Sequence, residues 1–139
     1  MLKDISVGKE LSPVVKHVTQ EEINRYAQAS GDFNPIHVDE AFAVQTPLKG
    51  TIAHGMLILA YISEMMMVDF GEDWFSAGEL AVRFKAPARP GDIIVVSGRV
   101  SDIDNEKDGS HVRCAVECSI KGGDVVIAGN AEVKVKARG

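Results

Sequence analysis

The chain has 139 residues, of which 45% are hydrophobic and 25% are charged. This length is typical of one compact domain, and such a chain buries about two-thirds of the surface that it exposes when unfolded. The formal net charge of -5 argues against nucleic acid as a partner, although it leaves room for a local basic patch that binds a phosphate-bearing ligand. The longest apolar stretch, residues 55–70, is too short and too polar to favour a membrane span.

The compartment is indicated by the start of the chain and by the cysteines. The first eight residues lack the apolar core of a secretory segment and include Asp4. Cys114 and Cys118 fall within one predicted strand, about 13 Å apart, which is beyond the reach of a disulfide within the chain. We therefore expect two buried free thiols and a cytoplasmic protein.

The first half of the chain is predicted to be mainly helical. A short strand is expected near residues 14–18, followed by a helix that begins after Thr19 and ends at Gly31. Thr19 and Glu22 have the spacing of a capping box, and a glycine commonly ends a helix. A short helix over residues 39–44 and a loop over 47–53 come next. Residues 55–69 then form a long helix with almost no polar face, which must be buried on all sides.

The second half of the chain is predicted to form strands that surround this helix. Apolar and polar residues alternate over 80–85, a β-branched run covers 93–100, and a polar turn is expected over 102–109. A further alternating run covers 112–120, and Gly122-Gly123-Asp124 forms a hairpin turn before a last strand over 125–135. These runs predict an α+β fold, an antiparallel β-sheet curled around one long central helix, in a single domain over 1–139.

Candidate chemistry lies in the segment from Ser30 to His37. Asp32 and His37 are acid-base side chains five residues apart, and Pro35 restricts the chain between them. A bent, stiff loop holds a carboxylate and an imidazole toward one space, as general acid-base catalysis requires, and Asn34 can fix one of them. The alternative is structural, since this pattern is also a common turn in which Asp32 caps the next helix.

A second candidate segment leads into the long helix, from Gly50 to Met56. The helix start presents unpaired N–H groups and a partial positive charge, and Gly55 allows a ligand oxygen to approach its N–H. This favours an oxyanion site for a carbonyl oxygen that gains negative charge, although Gly55 equally permits tight packing. His54 is interpreted as a histidine that holds the loop, or alternatively as a second ligand or base. The histidines lack the spacing of a metal site, so no metal is expected.

Two blocks of sequence resemble the MaoC-like (R)-specific enoyl-CoA hydratases. The run Y-A-Q-A-S-G-D-F-N-P-I-H-V-D from Tyr26 to Asp39 is similar to the signature of that family, and the run from Ile52 to Leu57 is similar to its second block. Residues 84–87 and 90–92 also resemble the family. The resemblance extends from the first helix to the last strand, and its first block is long and specific.

The resemblance implies a hot dog fold and a homodimer whose sheets join edge to edge, with an acyl thioester bound near the interface. It implies that Asp32 and His37 activate one water and that the Gly55 N–H binds the thioester carbonyl. The reaction expected is reversible hydration of trans-2-enoyl-CoA, without a cofactor. Ser30, Asn34 and His54 match as supporting residues.

The sequence does not decide between several candidates for the substrate contacts and for the function. Phe33, Met56 and the methionines at 65–67 are candidates to line an acyl tunnel, or are plain core. Lys85 and Arg89 are candidates to contact phosphates, or are solvated cations. The partner is either acyl-CoA or an acyl carrier protein thioester. The alternatives are a carrier-protein dehydratase, a thioesterase of the same fold, a subunit paired with a homologous one, or a non-catalytic acyl-binding subunit; the intact dyad argues against the last.

Overall fold

The computed structural model describes residues 4–137. Residues 1–3, which belong to the start that is expected to lack a secretory segment, lie outside the described residues. The elements in chain order are β1 (Val14–His17), α1 (Gln20–Ser30), α2 (Pro35–Val38), α3 (Glu40–Val44), α4 (Gly55–Phe70), α5 (Glu72–Ala77), β2 (Glu79–Phe84), β3 (Ile93–Glu106), β4 (Gly109–Ile120) and β5 (Val125–Lys136). Within residues 4–137, each helix falls short of the length and apolar character that a bilayer crossing requires.

Helix α4 is the centre of the fold. It is 16 residues long and contacts β1, β3, β4 and β5, and its side chains Ile58, Ile62, Met65 and Met66 are at most 1% exposed. Because apolar residues cover most of its circumference, the helix is stable only when other elements pack against it. The prediction of a central helix wrapped by a sheet is confirmed. The predicted burial on all sides is wrong, because the buried residues occupy one face of the helix, while Met56, Met67 and Val68 are 57%, 40% and 51% exposed.

The sheet has five antiparallel strands in the order β1-β3-β4-β5-β2. Alternate side chains of β3 and β4 point inward onto α4, and they include Cys114 and Cys118, which are buried and free as predicted. Burial raises the pKa of each thiol to about 12. Strands β1 and β2 form the two edges of the sheet.

The predicted polar turn over residues 102–109 is wrong over most of its length. Strand β3 continues to Glu106, and it pairs with β4 in a register that sets Asp102 against Arg113 and Asp104 against His111. The polar residues are accommodated because this end of the hairpin is solvent-exposed and places the Arg113 guanidinium across from the Asp102 carboxylate. Helices α2 and α5 were also not predicted; each is at most six residues long.

Helix α1 has the predicted ends. The Thr19 side chain accepts a hydrogen bond from the Glu22 N–H, and Gly31 adopts φ 80° at the C-terminus, where a left-handed residue suits a glycine. The Glu22 carboxylate in turn accepts a hydrogen bond from the Tyr61 hydroxyl of α4. Burial, followed by the neighbouring Glu22, raises the pKa of Tyr61 well above its usual value. This contact fastens α1 to the central helix.

Candidate active site

The loop from Ser30 to His37 is held by three successive hydrogen bonds between side chains and main-chain N–H groups two residues further on. Ser30 Oγ accepts from Asp32 at 3.2 Å, Asp32 Oδ1 accepts from Asn34 at 3.2 Å, and Asn34 Oδ1 accepts from Ile36 at 3.1 Å. Short polar side chains form such turns readily. Asn34, and not Asp32, therefore caps the next helix, and Asp32 is locked at both its N–H and one carboxylate oxygen.

His37 is fixed by the loop that precedes α4. Its Nδ1 lies 2.7 Å from the Ile52 main-chain oxygen, and the Ile52 N–H donates to the Ile36 oxygen at 3.0 Å. A carbonyl oxygen only accepts, so Nδ1 carries a hydrogen. In the neutral ring, Nε2 then carries the lone pair. The side chain is 10% exposed, which leaves Nε2 as the ring atom available for chemistry.

Asp32 and His37 face each other across a short gap. His37 Nε2 lies 4.0 Å from Asp32 Oδ2, and the Asp32 side chain is 53% exposed. This separation is too long for a direct hydrogen bond. Since Asp32 Oδ1 is engaged by Asn34 and His37 Nδ1 by Ile52, the two remaining atoms share one open space at the surface.

His54 lies directly behind this pair. Its Nε2 is 2.9 Å from the Asp32 main-chain oxygen, and its ring stacks on His37 with centroids 3.9 Å apart and planes inclined by 25°. The His54 ring also contacts the Tyr26 ring, with centroids 4.8 Å apart and planes tilted. The residue is 3% exposed. The interpretation of His54 as a histidine that holds the loop agrees with these contacts.

Gly55 begins α4 directly after His54, at a helix start that has no side-chain hydrogen-bond cap. A Cβ at Gly55 would lie 2.9 Å from Cε1 of Phe84, so the Phe84 ring packs over the glycine. This packing was not predicted from the sequence. The first N–H groups of a helix carry a partial positive charge, and the glycine leaves them accessible beside an exposed aromatic ring.

A second set of hydrogen bonds supports His37 from the side of α1. Gln20 Nε2 donates to the His37 main-chain oxygen at 2.7 Å, and Thr51 Oγ1 donates to Gln20 Oε1 at 2.7 Å. The Thr51 N–H donates to Glu40 Oε2 at 3.2 Å, and Thr51 is buried. These supporting residues were missed, because nothing in the spacing of Gln20 indicates that it reaches α2.

The residues predicted to contact substrate have different surroundings. Phe33 and Met56 are each 57% exposed and adjoin Asp32 and Gly55 in the chain, while Lys85 is exposed just after Phe84. Met65 and Met66 are fully buried in the core, which supports their interpretation as packing residues. The Arg89 guanidinium lies against Gly50, with Nη1 3.7 Å from the position of a Cβ there.

Proximity makes Asp32, His37 and His54 the candidate ligands for a metal ion, since one ligand atom of each lies within 4.8 Å of the others. The stacked rings argue against such a site. Imidazole binds a metal along a lone pair in the plane of the ring, at about 2.0–2.1 Å for zinc. Two rings stacked with an inclination of 25° and centroids 3.9 Å apart hold their lone pairs in nearly parallel planes, which disfavours convergence of both lone pairs on one ion.

Both the sequence and the fold of this chain are similar to those of known proteins. The MaoC like domain family matches residues 5–120. An (R)-specific enoyl-CoA hydratase from Rhodospirillum rubrum is 35% identical over 99% of this chain and 92% of its own length. A 3-hydroxybutyryl-CoA dehydratase from Methylorubrum extorquens is 33% identical over 96% of this chain and 82% of its own length.

Solved structures show the same architecture. An unliganded R-hydratase from Pseudomonas aeruginosa superposes with a TM-score of 0.83 at 28% identity, covering 96% of this chain and 84% of that one. An (R)-hydratase from A. caviae gives a TM-score of 0.81 at 25% identity, covering 96% and 98%. The fold is the hot dog fold expected from the resemblance. The chain therefore belongs to the MaoC-like family and is a hydro-lyase.

Proposed function

We propose that the protein catalyses the reversible hydration of trans-2-enoyl-CoA to (R)-3-hydroxyacyl-CoA, with Asp32 and His37 acting on one water. The observation that carries this proposal is the 4.0 Å gap between His37 Nε2 and Asp32 Oδ2. The second polar atom of each side chain, His37 Nδ1 or Asp32 Oδ1, is already engaged in a hydrogen bond to the main chain. The named relatives, an (R)-specific enoyl-CoA hydratase and a 3-hydroxybutyryl-CoA dehydratase, support the substrate class.

The gap suits a single water. An oxygen about 2.8 Å from each atom, the usual hydrogen-bond length, fits between two atoms that are 4.0 Å apart. With Asp32 ionised and His37 neutral, both atoms accept, so the water donates one hydrogen to each. Its lone pairs then point away from the dyad toward a bound substrate, which is the orientation that attack on carbon requires.

The reaction follows from this arrangement. The water oxygen bonds to C3 of the enoyl thioester while one of its protons passes to the dyad, and the C2–C3 π electrons move to the carbonyl oxygen. The resulting enolate takes a proton at C2. Because His37 Nδ1–H is held by the Ile52 oxygen, the proton available to C2 is the one just removed from the water. The Gly55 N–H and the start of α4 stabilise the charge on the carbonyl oxygen.

The surroundings of the site support assignments for the substrate and for the partner. Phe33, Met56 and Phe84 are exposed beside it, and we assign this apolar surface to the acyl chain and to a second copy of the chain. The copies join across β2, an edge strand whose outer side is free for pairing in the described chain. Lys85, at the end of β2, is assigned to a phosphate of the CoA or carrier thioester. The reaction needs no metal or cofactor, and the free thiols suit a cytoplasmic location.

The decisive test is hydration of crotonyl-CoA, followed by the loss of enoyl absorbance and by chiral analysis of the product. We expect the (R)-3-hydroxy product from the wild type. Asp32→Asn and His37→Gln each lower kcat by about 10²- to 10⁴-fold. Circular dichroism and thermal unfolding verify that both variants are folded. Near-full activity in both folded variants contradicts the dyad.

The same assay separates this function from its alternatives. Incubation of butyryl-CoA with a free-thiol reagent detects CoA release, which a thioesterase gives and a hydratase does not. A series from C4 to C16, offered as CoA and as carrier-protein thioesters, identifies the chain length and the carrier. Sedimentation equilibrium gives the oligomeric state, for which a dimer is expected. A chain that is inactive alone but active with a co-expressed homologous subunit indicates a paired enzyme.

A further inference from the structure

We infer that His54 is a positioning residue that sets the geometry of both members of the dyad: it holds the main chain of Asp32 through Nε2–H and fixes the ring plane of His37 by stacking. This inference rests on the proposed function, since it concerns the site at which hydration takes place. It differs from a general packing role because it assigns the larger effect to the hydrogen bond and the smaller effect to the stacking contact.

The hydrogen bond connects an exposed residue to a buried one. The Asp32 side chain is 53% exposed, whereas His54 is 3% exposed. The Asp32 carbonyl oxygen accepts from His54 Nε2 at 2.9 Å. Since a carbonyl does not donate, the hydrogen lies on Nε2. This bond anchors the Asp32 main chain to the start of α4 and so limits how far the Asp32 carboxylate can move from His37.

The stacking contact controls the second member of the dyad. The Ile52 oxygen fixes the direction of His37 Nδ1 within the ring plane, and the His54 ring, 3.9 Å away at 25°, covers one face of that plane. Together the two contacts leave the ring little freedom to tilt. Nε2 is thereby held toward Asp32 Oδ2. The stacking contact thus limits tilt of the ring, whereas the main-chain bond limits displacement of the Asp32 carboxylate, for which an error of about 1 Å costs on the order of 10²-fold in rate.

The remaining nitrogen of His54 distinguishes positioning from acid-base chemistry. Nδ1 is buried and has no hydrogen-bond partner among residues 4–137. A proton on that nitrogen would have no acceptor, and a charged ring would lie directly against His37. Burying an unpaired charge is costly, so His54 works as the neutral Nε2–H tautomer. It is therefore neither a second base nor a proton donor to substrate.

Two substitutions separate the donor from the ring. His54→Gln places an amide nitrogen where Nε2 lies, and so keeps the donor while losing the ring. His54→Phe keeps the stacking ring and loses the donor. We expect His54→Phe to lower kcat for crotonyl-CoA hydration about 10²-fold with KM little changed, and His54→Gln to stay within about tenfold of the wild type. Thermal unfolding of both variants measures any loss of packing.

The opposite order, with the phenylalanine variant active and the glutamine variant impaired, shows that His54 acts by packing and overturns the inference. Equal activity or equal loss in the two variants also overturns the donor role. A raised KM at unchanged kcat has the same consequence, because it indicates altered substrate binding and not altered placement of the dyad.

A readout without substrate separates this inference from the proposed function. The Phe33 amide follows the Asp32 carbonyl directly, so its NMR shift reports the His54 bond. We expect that shift to change in His54→Phe and to persist in His54→Gln, with a hydrogen on Nε2 and not on Nδ1 of His54 in the wild type. If the wild type lacks hydratase activity, the proposed function fails and the NMR comparison alone decides whether His54 holds Asp32. A Phe33 shift equal in all three proteins contradicts the inference.

Discussion

His37 Nδ1 lies 2.7 Å from the main-chain oxygen of Ile52, and this bond determines which ring nitrogen is available for chemistry. It also links helix α2 to the loop that leads into α4, where the Ile52 N–H returns a hydrogen bond to the Ile36 oxygen. The residue that carries the imidazole and the loop that leads to the proposed oxyanion site are therefore one hydrogen-bonded unit. Changes in that loop should affect the dyad as well as the carbonyl site.

Two substitutions at Gly55 test the role of its main-chain N–H separately from the effect of adding a side chain. Gly55→Pro removes the N–H at the first position of α4, where proline is well tolerated. The preceding residue, His54, has φ -62° and ψ 136°, which a following proline accepts. We expect thermal stability close to that of the Gly55→Ala control and a kcat about 10²- to 10³-fold lower than that control.

The alanine control carries the same Cβ, which would lie 2.9 Å from the Phe84 ring. Phe84 is 54% exposed, so its ring can swing aside, and Gly55→Ala keeps the N–H. If alanine and proline reduce kcat equally, the effect is steric and the N–H is not the carbonyl donor. Circular dichroism at 222 nm, where helices absorb, checks that both variants retain α4.

Thr51 provides a test of the hydrogen bonds that support His37 from α1. Its hydroxyl donates to Gln20, whose amide donates to the His37 main-chain oxygen. Thr51→Val has the same shape and leaves Gln20 Oε1 without that donor. We expect an unfolding free energy lower by about 1–2 kcal/mol and a reduced kcat, whereas Thr51→Ser keeps both near the wild type. Urea unfolding and crotonyl-CoA kinetics measure the two effects.

A serine variant as impaired as the valine variant would show that the Thr51 methyl group, and not its hydroxyl, matters at this site. The Gln20→Met variant gives an independent check. If Thr51 acts through Gln20, combining Thr51→Val with Gln20→Met should produce less than the sum of the two single effects, because both substitutions break one chain of hydrogen bonds.

The sequence was sufficient to predict those elements whose ends or burial depend on nearby residues. Thr19 and Gly31 bound α1 because a capping side chain and a left-handed residue act within a few positions of themselves. Helix α4 was predicted because a long apolar helix needs other elements packed against it, although one of its faces is exposed. The extension of β3 through Asp104 was missed, since its strand conformation depends on pairing with β4, a contact that residue type alone does not indicate.

In the candidate site, too, local contacts could be predicted from the sequence and long-range contacts could not. The sequence places Asp32, Asn34 and His37 in one short segment, and the side chains of Asp32 and Asn34 accept from main-chain N–H groups two positions away. The stacking of His54 on His37 and the reach of Gln20 to α2 join segments that are 17 residues apart in each case. Such contacts arise only when the helices pack, so spacing arguments could not find them.

Gly31 offers a test of backbone strain next to the dyad. It has φ 80°, and a Cβ built there would meet no atom within 4 Å. The cost of Gly31→Ala is therefore conformational and not steric, about 1–2 kcal/mol of unfolding free energy. Gly31→Asn should cost less, because asparagine tolerates the left-handed region. Urea unfolding measures both, and equal costs would exclude backbone conformation as the cause.

The buried thiols predict how stability changes in alkaline solution. The pKa of Cys114 and of Cys118 is raised by burial from 9.0 to about 12. Below pH 9 both thiols are protonated in the folded and unfolded states, so they contribute no pH dependence. Between pH 9 and about 12 only the unfolded chain releases these protons, and stability falls as the pH rises.

At pH 10 the loss is on the order of 1 kcal/mol for each thiol relative to pH 8. The double variant Cys114→Ala/Cys118→Ala lacks this contribution, while it retains the similar one from Tyr61. We expect the free energies of unfolding in urea to fall less steeply with pH for the variant than for the wild type. Parallel curves from pH 8 to pH 10 would mean that the thiols ionise in the folded protein as readily as in the unfolded chain, and reaction of the native thiols with iodoacetamide at pH 8 would then be fast instead of slow.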